Sequence, residues 1–261
     1  VLRAVNQPTG RTRLPWFCSL PDDDAATAVA ARLTGRDQQT RVLHHASGRP
    51  WLIASGWGQE LRTAATGPLR AALIGFCPVG AARLHDLAEQ ACATGDTAVL
   101  TRLPGAHHLA VSHRGTATSY GDVAGLNRLF TARIDNITVA ANTPRLLAQL
   151  TGAGVDEQWL AMRMLAPHPP GPVQWSRSPY QDVHPVPPGH RVAVSPAGTS
   201  VSRYWSPPTA RLSLREGAEQ LRQALTEAVE GRVADVAHAS VQLSGGLDSQ
   251  ALAALATRSR P

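Results

Sequence analysis

Short apolar runs that end in turn residues predict a β-rich region over most of the chain. β-branched and aromatic residues cluster in these runs, as is typical of strands joined by tight turns. Around a Pro-Ala-Gly turn, residues 190–205 alternate between apolar and polar positions and predict a β-hairpin. The other predicted strands are RPWLIASGW, PLRAALIGFCPV, HHLAVSH, RLFTAR and ITVAA. We expect the last three of these to be neighbours in one antiparallel sheet.

Apolar residues at helical spacing predict three helices. The first, AARLHDLAEQACATG, ends at Gly95, a candidate C-cap because glycine readily adopts the left-handed conformation. TPRLLAQL predicts the second helix. The third, SLREGAEQLRQALTEAVEGRV, starts with a capping box formed by Ser213 and Glu216. The apolar faces consist of Leu84, Leu87, Ala88 and Ala91 in the first helix and of Leu214, Ala218, Leu221, Leu225 and Val229 in the third.

A change in composition divides the chain. From Ala166 onward, prolines crowd a connector that we expect to run extended over the surface without joining a sheet, because proline lacks a backbone donor. The segment SPPTA, residues 206–210, predicts a linker. We therefore expect an α+β domain over residues 1–209 and the start of an α/β domain over residues 210–261. In the second domain, ASVQL (239–243) predicts a central strand packed against the third helix.

Composition excludes several classes of function. The net charge is +6, but all 25 basic residues are arginines spread along the chain, so a nucleic-acid interface is not favoured. Without lysine, the chain cannot complete a Walker A loop, a kinase active site or a pyridoxal phosphate Schiff base. The GxSxG motif of α/β-hydrolases is missing as well.

The sequence predicts neither a membrane partner nor an oxidising compartment. No apolar run approaches the roughly 20 residues that a transmembrane helix needs. Residues 1–13 lack the apolar segment of a signal peptide. The three cysteines, Cys18, Cys77 and Cys92, form no CxxC pair, which disfavours a disulfide framework and a zinc site. We expect a soluble, cytoplasmic protein.

The histidines do not follow a metal-binding pattern. On a strand, His107 and His113 would share one face while His108 would point to the other. No carboxylates accompany them at the spacing of metal ligands. We therefore expect these histidines to be exposed or satisfied within the core.

The stretch VQLSGGLDSQALAALA predicts a strand, a glycine turn and the start of a helix. Such a turn directs several backbone N–H groups and the positive end of a helix dipole at one point, which makes an anion site. Gly245 and Gly246 let the backbone approach a phosphate closely. The hydroxyls of Ser244 and Ser249 can donate two further hydrogen bonds to it.

Asp248 is unusual in a simple phosphate site, because a carboxylate repels an anion. It fits if a cation bridges the two, so it is a candidate ligand of Mg²⁺ bound to a di- or triphosphate. The alternative is a helix N-terminus at which Asp and Ser act as caps and no ligand binds. Residue types alone leave both interpretations open.

The motif LSGGLDS resembles the pyrophosphate loop of the ATP pyrophosphatase superfamily, and its extension LSGGLDSQALAALA is most similar to the asparagine synthetase branch. Upstream, VPPGHRVAVSPAGTSVSRYW is similar to the PPGH…RYW segment that precedes the synthetase domain of that family. LPGAHHLAV and residues 121–148 resemble further blocks of it. The resemblance therefore extends over both predicted domains.

The resemblance implies a degenerate glutamine amidotransferase-like domain with an Ntn-hydrolase-like αββα sandwich. An incomplete ATP pyrophosphatase (adenine nucleotide α-hydrolase-like) domain follows. It also implies an AMP-forming ligase that uses ATP and Mg²⁺ to adenylate a carboxylate, which an amine then attacks to give an amide. On this basis Leu243 lies beside the nucleotide, Ser244, Gly245, Gly246 and Ser249 bind the phosphates, and Asp248 binds magnesium.

Departures from the family pattern concern the glutaminase half. A working glutaminase needs a cysteine as its first residue, because the free amino group activates that thiol. This chain begins with Val1, and Cys18 would serve only after removal of the residues before it. The RDR motif of the family is reduced to Gly121-Asp122-Val123.

β-Lactam synthetases and lasso-peptide macrolactam cyclases share this loss, since their attacking amine is already in the substrate. The segments PWF, LIGFCPVG and SPYQDVHPVPPGH are most similar to the lasso-cyclase group. We therefore expect a macrolactam-forming cyclase that acts on a carboxylate-bearing peptide or small molecule, with a precursor peptide as a possible partner.

Two alternatives remain. One is a glutamine-hydrolysing asparagine synthase that makes asparagine from aspartate, and the other is a non-catalytic remnant that binds a peptide or a partner subunit. The sequence stops before the adenine pocket and catalytic groups of the resembling family. We therefore expect either an N-terminal fragment or a truncated gene product. Residues from Leu214 onward should be weakly ordered or pack against the first domain, and the chain should not form amides by itself.

Overall fold

The computed structural model describes residues 14–35, 39–166, 176–234 and 236–259. These residues fall into two compact units, 14–206 and 207–259. No helix in the described part of the chain has the length and apolar character of a membrane span.

The first unit contains strands and helices that alternate irregularly along the chain. Its strands are β1 (Trp16–Ser19), β2 (Arg41–His44), β3 (Pro50–Ser55), β4 (Leu61–Thr66), β5 (Leu69–Phe76), β6 (Ala106–His113), β7 (Thr116–Tyr120), β8 (Leu129–Ile134), β9 (Ile137–Ala141), β10 (His184–Val186), β11 (His190–Ser195) and β12 (Gly198–Arg203). Its helices are α1 (Ala25–Thr34), α2 (Ala81–Thr94), α3 (Pro144–Thr151) and α4 (Glu157–Leu165), with two 3₁₀ helices at Gly58–Glu60 and Thr97–Arg102.

These strands form two antiparallel sheets of six strands each. The first sheet has the order β10-β8-β9-β1-β3-β2, and the second has the order β12-β11-β7-β6-β5-β4. The hairpin expected around the Pro-Ala-Gly turn is β11–β12, which pairs from His190↔Arg203 to Ser195↔Gly198. β1 lies inside the first sheet, between β9 and β3.

Three apolar clusters show how the sheets and helices stack. The middle cluster combines residues of both sheets, such as Phe17 and Leu52 of the first with Ile74 and Val192 of the second. A second cluster joins the other face of the first sheet to α1 and α3, and a third joins the other face of the second sheet to α2. The unit is therefore a four-layer αββα sandwich, as the family resemblance implied.

The helix predictions for this unit are confirmed. All four apolar residues predicted for α2 are buried against the second sheet. Gly95 ends the helix with φ +73, in the left-handed region. α3 is capped by the side chain of Thr143, which accepts from the backbone N–H of Leu146. The short α1 and α4 and the strand β1 were not predicted as separate elements.

The expectation that HHLAVSH, RLFTAR and ITVAA are neighbours in one sheet is wrong in part. RLFTAR and ITVAA contribute β8 and β9, which pair with each other in the first sheet. HHLAVSH forms most of β6, which pairs with β5 and β7 in the second sheet. Apolar patterning identifies a strand but not its sheet, because both sheets present an apolar face to the same middle layer.

The proline-rich connector also differs from its prediction where it is described. His184–Val186 forms β10 and pairs with β8, opposite Leu129 to Thr131. β10 lies at the edge of its sheet, where Pro185 can be accommodated because an edge strand need not donate on both sides. Residues 167–175 of the connector lie outside the described residues.

The second unit contains two helices, α5 (Leu214–Val233) and α6 (Leu247–Ser259). Both halves of the predicted capping box are present, since Ser213 accepts from Glu216 N–H and the Glu216 carboxylate accepts from Ser213 N–H. The helices meet around a small cluster of Val229, Val233 and Ala256. The rest of the predicted apolar face of α5 is more open, and the side chain of Leu214 is 91% exposed.

The predicted central strand ASVQL does not form. The segment holds only a bridge residue at Ser240, and Leu243 is 64% exposed. A strand needs neighbours that pair with its backbone groups. The described residues 207–234 and 236–259 contain no other strand that could supply this pairing.

Candidate functional site

The candidate nucleotide loop, Leu243–Ser249, leads directly into α6. Gly245 has φ +84, in the left-handed region that glycine adopts without strain. No heavy atom lies within 4 Å of the position that a Cβ at Gly245 would take, so the space above the turn is open. The glycine turn predicted from the sequence is therefore present at the N-terminus of a helix.

Two serine hydroxyls meet at this turn. The oxygen atoms of Ser244 Oγ and Ser249 Oγ are 3.1 Å apart. Ser249 Oγ donates to the carbonyl oxygen of Gly246 at 2.9 Å and accepts from the backbone N–H of Ser244 at 3.2 Å. The loop thus brings together the two hydroxyls that sequence reasoning assigned to phosphate binding, and it holds them by contacts that an incoming oxyanion can replace.

Asp248 lies in the first turn of α6 and is exposed. Within the described residues, its carboxylate has neither an ion pair nor a hydrogen bond. A negative charge at this position is favourable next to the positive end of the helix dipole, whether or not a ligand binds. The geometry therefore suits both interpretations of Asp248, as a magnesium ligand and as a helix-stabilising residue.

The side chains available near Asp248 restrict how a cation can be bound at the loop. Among the described residues, no group of three or more His, Cys, Asp or Glu side chains could enclose a metal ion. Mg²⁺ is commonly held by one or two carboxylates together with phosphate oxygens and water. The single carboxylate of Asp248 fits a cation that arrives with a phosphate chain and does not fit a metal bound by protein alone.

The cysteines lack the properties of a glutaminase nucleophile. Cys18 is fully buried in β1, and burial raises the pKa of its thiol to about 12. A reactive cysteine needs access and a lowered pKa, so this thiol is unreactive at neutral pH. Cys77 is buried and Cys92, a residue of α2, is half-buried. Both belong to the apolar cluster between α2 and the second sheet.

His45 and His108 are buried in the middle layer, and the expectation that buried histidines are satisfied within the core holds for His45 but not for His108. His45 is buried, with Nδ1 2.6 Å from Ser112 Oγ and Nε2 3.1 Å from the Leu20 carbonyl oxygen. These contacts join β6 of the second sheet to the residue that follows β1 of the first. His108 is buried in a T-shaped contact with Phe17, with ring centroids 4.9 Å apart, and its Nδ1 has no hydrogen-bond partner among the described residues. Burial lowers its pKa to about 4.

The segments similar to PPGH and RYW contact each other. Gly189 has φ +68, and its carbonyl accepts from the backbone N–H groups of Tyr204 and Trp205. An added Cβ at Gly189 would lie 3.1 Å from the Trp205 carbonyl oxygen. The Tyr204 hydroxyl donates to the Gly121 carbonyl at 2.6 Å. These hydrogen bonds connect the two segments to each other and to Gly121, and so stabilise the fold of the first unit.

Comparisons with known proteins bear mainly on the second unit. The asparagine synthase family model matches residues 220–261. This segment contains most of α5, the glycine turn and α6, so the match supports the asparagine synthase family for the part of the chain that carries the candidate loop. No curated protein matches the chain.

Solved structures show weak similarity to the chain. One is glutamine phosphoribosylpyrophosphate amidotransferase from B. subtilis in complex with ADP and GMP, with a TM-score of 0.40, 13% identity, and 94% of this chain and 64% of that chain covered. Another is described as the allosteric regulatory enzyme of purine biosynthesis, with a TM-score of 0.39, 14% identity, and 74% and 49% covered. The chain therefore spans less than two-thirds of either structure, and at TM-scores below 0.5 nothing about activity follows from them.

Proposed function

We propose that this chain carries the nucleotide-binding loop of an ATP-dependent, amide-forming ligase of the asparagine synthase family. The observation that carries the proposal is the meeting of Ser244 and Ser249 at a glycine turn on the N-terminus of α6, within the segment that matches the family. A capped helix without a ligand needs one side-chain acceptor, whereas this turn presents two hydroxyls beside an open left-handed glycine.

In the proposed site, the backbone N–H groups around Gly245 and Gly246 and the two serine hydroxyls would bind the phosphate oxygens of ATP. Asp248 would hold Mg²⁺ against the phosphate chain, and the exposed Leu243 would lie beside the nucleotide. Bound MgATP would supply the α–β phosphoanhydride bond, from which a carboxylate displaces pyrophosphate to become activated as an acyl adenylate. The contribution of these residues is to position the polyphosphate and to neutralise its charge.

We further propose that the amine nucleophile comes from the substrate itself, as in a macrolactam-forming lasso-peptide cyclase. This is supported by the cysteines, since the fully buried Cys18 cannot release ammonia from glutamine. The substrate would then be a peptide that contains both the carboxylate and the amine, and the setting would be the ATP-rich cytoplasm. Release of glutamate from glutamine by the protein would instead favour the asparagine synthase alternative.

The experiment that tests nucleotide binding is a calorimetric titration of the whole chain with ATP, with and without Mg²⁺. We expect uptake of MgATP, and we expect Asp248→Asn to weaken it by about tenfold, or about 1.4 kcal/mol. The same substitution should change the binding of magnesium-free ATP much less, because its carboxylate acts through the cation.

Glu230→Gln is the matched control, since Glu230 is an exposed carboxylate of α5 in the same unit. It should leave both titrations unchanged. If the unaltered chain takes up no MgATP, or if Asp248→Asn and Glu230→Gln have equal effects, the proposed site is wrong.

A further inference from the structure

A groove on the outer surface of the second sheet's helical layer has no role in the proposed function. It lies between α2 and the 3₁₀ helix Thr97–Arg102 and has a volume of about 310 Å³. Its walls are mainly apolar and include Val79, Leu87, Val99 and Leu103. This volume falls at the small end of the range of about 300–1,000 Å³ that is typical of ligand sites.

Two arginines line this groove, Arg83 from α2 and Arg102 from the 3₁₀ helix. Both side chains are exposed, and neither has an ion pair or a hydrogen bond to the described residues. The acidic residue Glu89 of α2 pairs instead with His85, at 3.3 Å. The groove therefore combines an apolar interior with two positive charges that the surrounding part of the chain does not neutralise.

The position of Arg83 is unfavourable for the helix that carries it. Arg83 is the third residue of α2, near the positive end of the helix dipole, and the first turn of α2 contains no acidic residue. Gly80, at the N-cap, gives no side-chain cap. In α5 the same position is taken by Glu216, which completes a capping box. Helix stability does not explain an arginine here, whereas an anion bound beside it would.

We propose that this groove binds a peptide segment in which an apolar side chain is flanked by carboxylates. The apolar walls would bury the side chain, and the planar guanidinium groups of Arg83 and Arg102 would bind the carboxylates through paired hydrogen bonds. The net charge of +6 would favour the approach of such an acidic segment. The proposal concerns residues of the first unit alone, so the outcome of its test does not depend on nucleotide binding by the second unit.

A display library of random twelve-residue peptides, selected on the whole chain, tests the proposal. We expect selected peptides to carry Asp or Glu within two positions of Leu, Ile, Phe or Met, and to bind the Arg83→Glu/Arg102→Glu double variant at least about tenfold more weakly. The control is Arg133→Glu/Arg145→Glu, which makes the same charge change at exposed arginines of β8 and α3. It should alter binding by less than about twofold. Thermal unfolding of both double variants shows whether the sandwich is intact.

Three results would overturn the proposal. The selected peptides could lack acidic residues, or they could bind both double variants equally. The third is that sodium hexanoate, added alone, binds with the same dependence on Arg83 and Arg102 while no acidic peptide is selected. That result would assign the groove to a small free carboxylate and not to a peptide.

Discussion

The two units of this protein differ in how completely they bury their apolar residues. In the sandwich, both faces of each sheet are covered, and large side chains such as Trp51 and Leu147 are almost completely buried. In the second unit, buried residues are few and Leu214, Leu221 and Leu247 are exposed. Even so, α5 is twenty residues long. Local signals such as its capping box are therefore enough to define a helix, whereas a strand needs partners.

The largest expected contrast comes from the same substitution in each unit. Leu147→Ala should lower the free energy of unfolding by about 2–5 kcal/mol, because Leu147 is fully buried between α3 and the first sheet. Leu214→Ala should change it by no more than about 0.5 kcal/mol, since no packing is lost at an exposed position. Urea unfolding of the two variants measures the difference. Equal effects would mean that Leu214 is covered in solution.

The second contrast concerns stability at acidic pH. We expect the core of the sandwich to determine it, through the buried His108. Burial lowers the pKa of His108 to about 4, although the nearby charge of Asp122 opposes this shift. Unfolding exposes the ring, which then takes up a proton near pH 6.5. The stabilising contribution of neutral His108 is therefore complete above pH 6.5 and is lost as the pH falls toward 4. The expected loss is on the order of 3 kcal/mol.

Urea unfolding at several pH values tests this assignment. The variant His108→Gln should be less stable at neutral pH but should lose less stability between pH 7 and pH 4 than the unaltered protein. His44→Gln, at an exposed position of β2, should keep the original pH dependence. If His108→Gln also keeps it, another buried group such as His45, whose pKa burial also lowers, carries the effect.

The smallest expected effects come from the two helix caps. Ser213→Ala in α5 and Thr143→Ala in α3 each remove a side-chain acceptor at a helix N-terminus, which costs about 1 kcal/mol. In α3, buried leucines hold the helix in place after the cap is lost. In α5 the first turns have no such packing, so hydrogen exchange of their amides should become about fivefold faster. Ser213→Asn, which keeps a capping acceptor, should restore slow exchange.

The sequence was informative wherever a structural signal is local. Helix α2 was predictable from the spacing of four residues and from Gly95, because periodicity and capping involve only neighbouring residues. The assignment of β6 to a sheet and the pairing of Pro185 in β10 were not predictable. Both depend on which distant strand lies alongside. The strand predicted at 239–243 also depends on distant partners, and within the described residues it is reduced to a bridge residue at Ser240.

The candidate sites follow the same distinction. The meeting of Ser244 with Ser249 was predictable, because a glycine turn before a helix brings residues five positions apart together. The groove with Arg83 and Arg102 was not, since these residues lie nineteen positions apart among 25 arginines with no distinguishing pattern. Only the packing of α2 beside the 3₁₀ helix Thr97–Arg102 brings them to one surface.

The short strand β10 also bears on how copies of this protein meet one another at high concentration. A sheet's outermost strand is a template on which a foreign chain can add by backbone pairing. Among the described residues, this edge strand consists of His184, Pro185 and Val186, and the ring of Pro185 removes one of its few donors. This border of the first sheet is thereby a poor starting point for fibrous self-association.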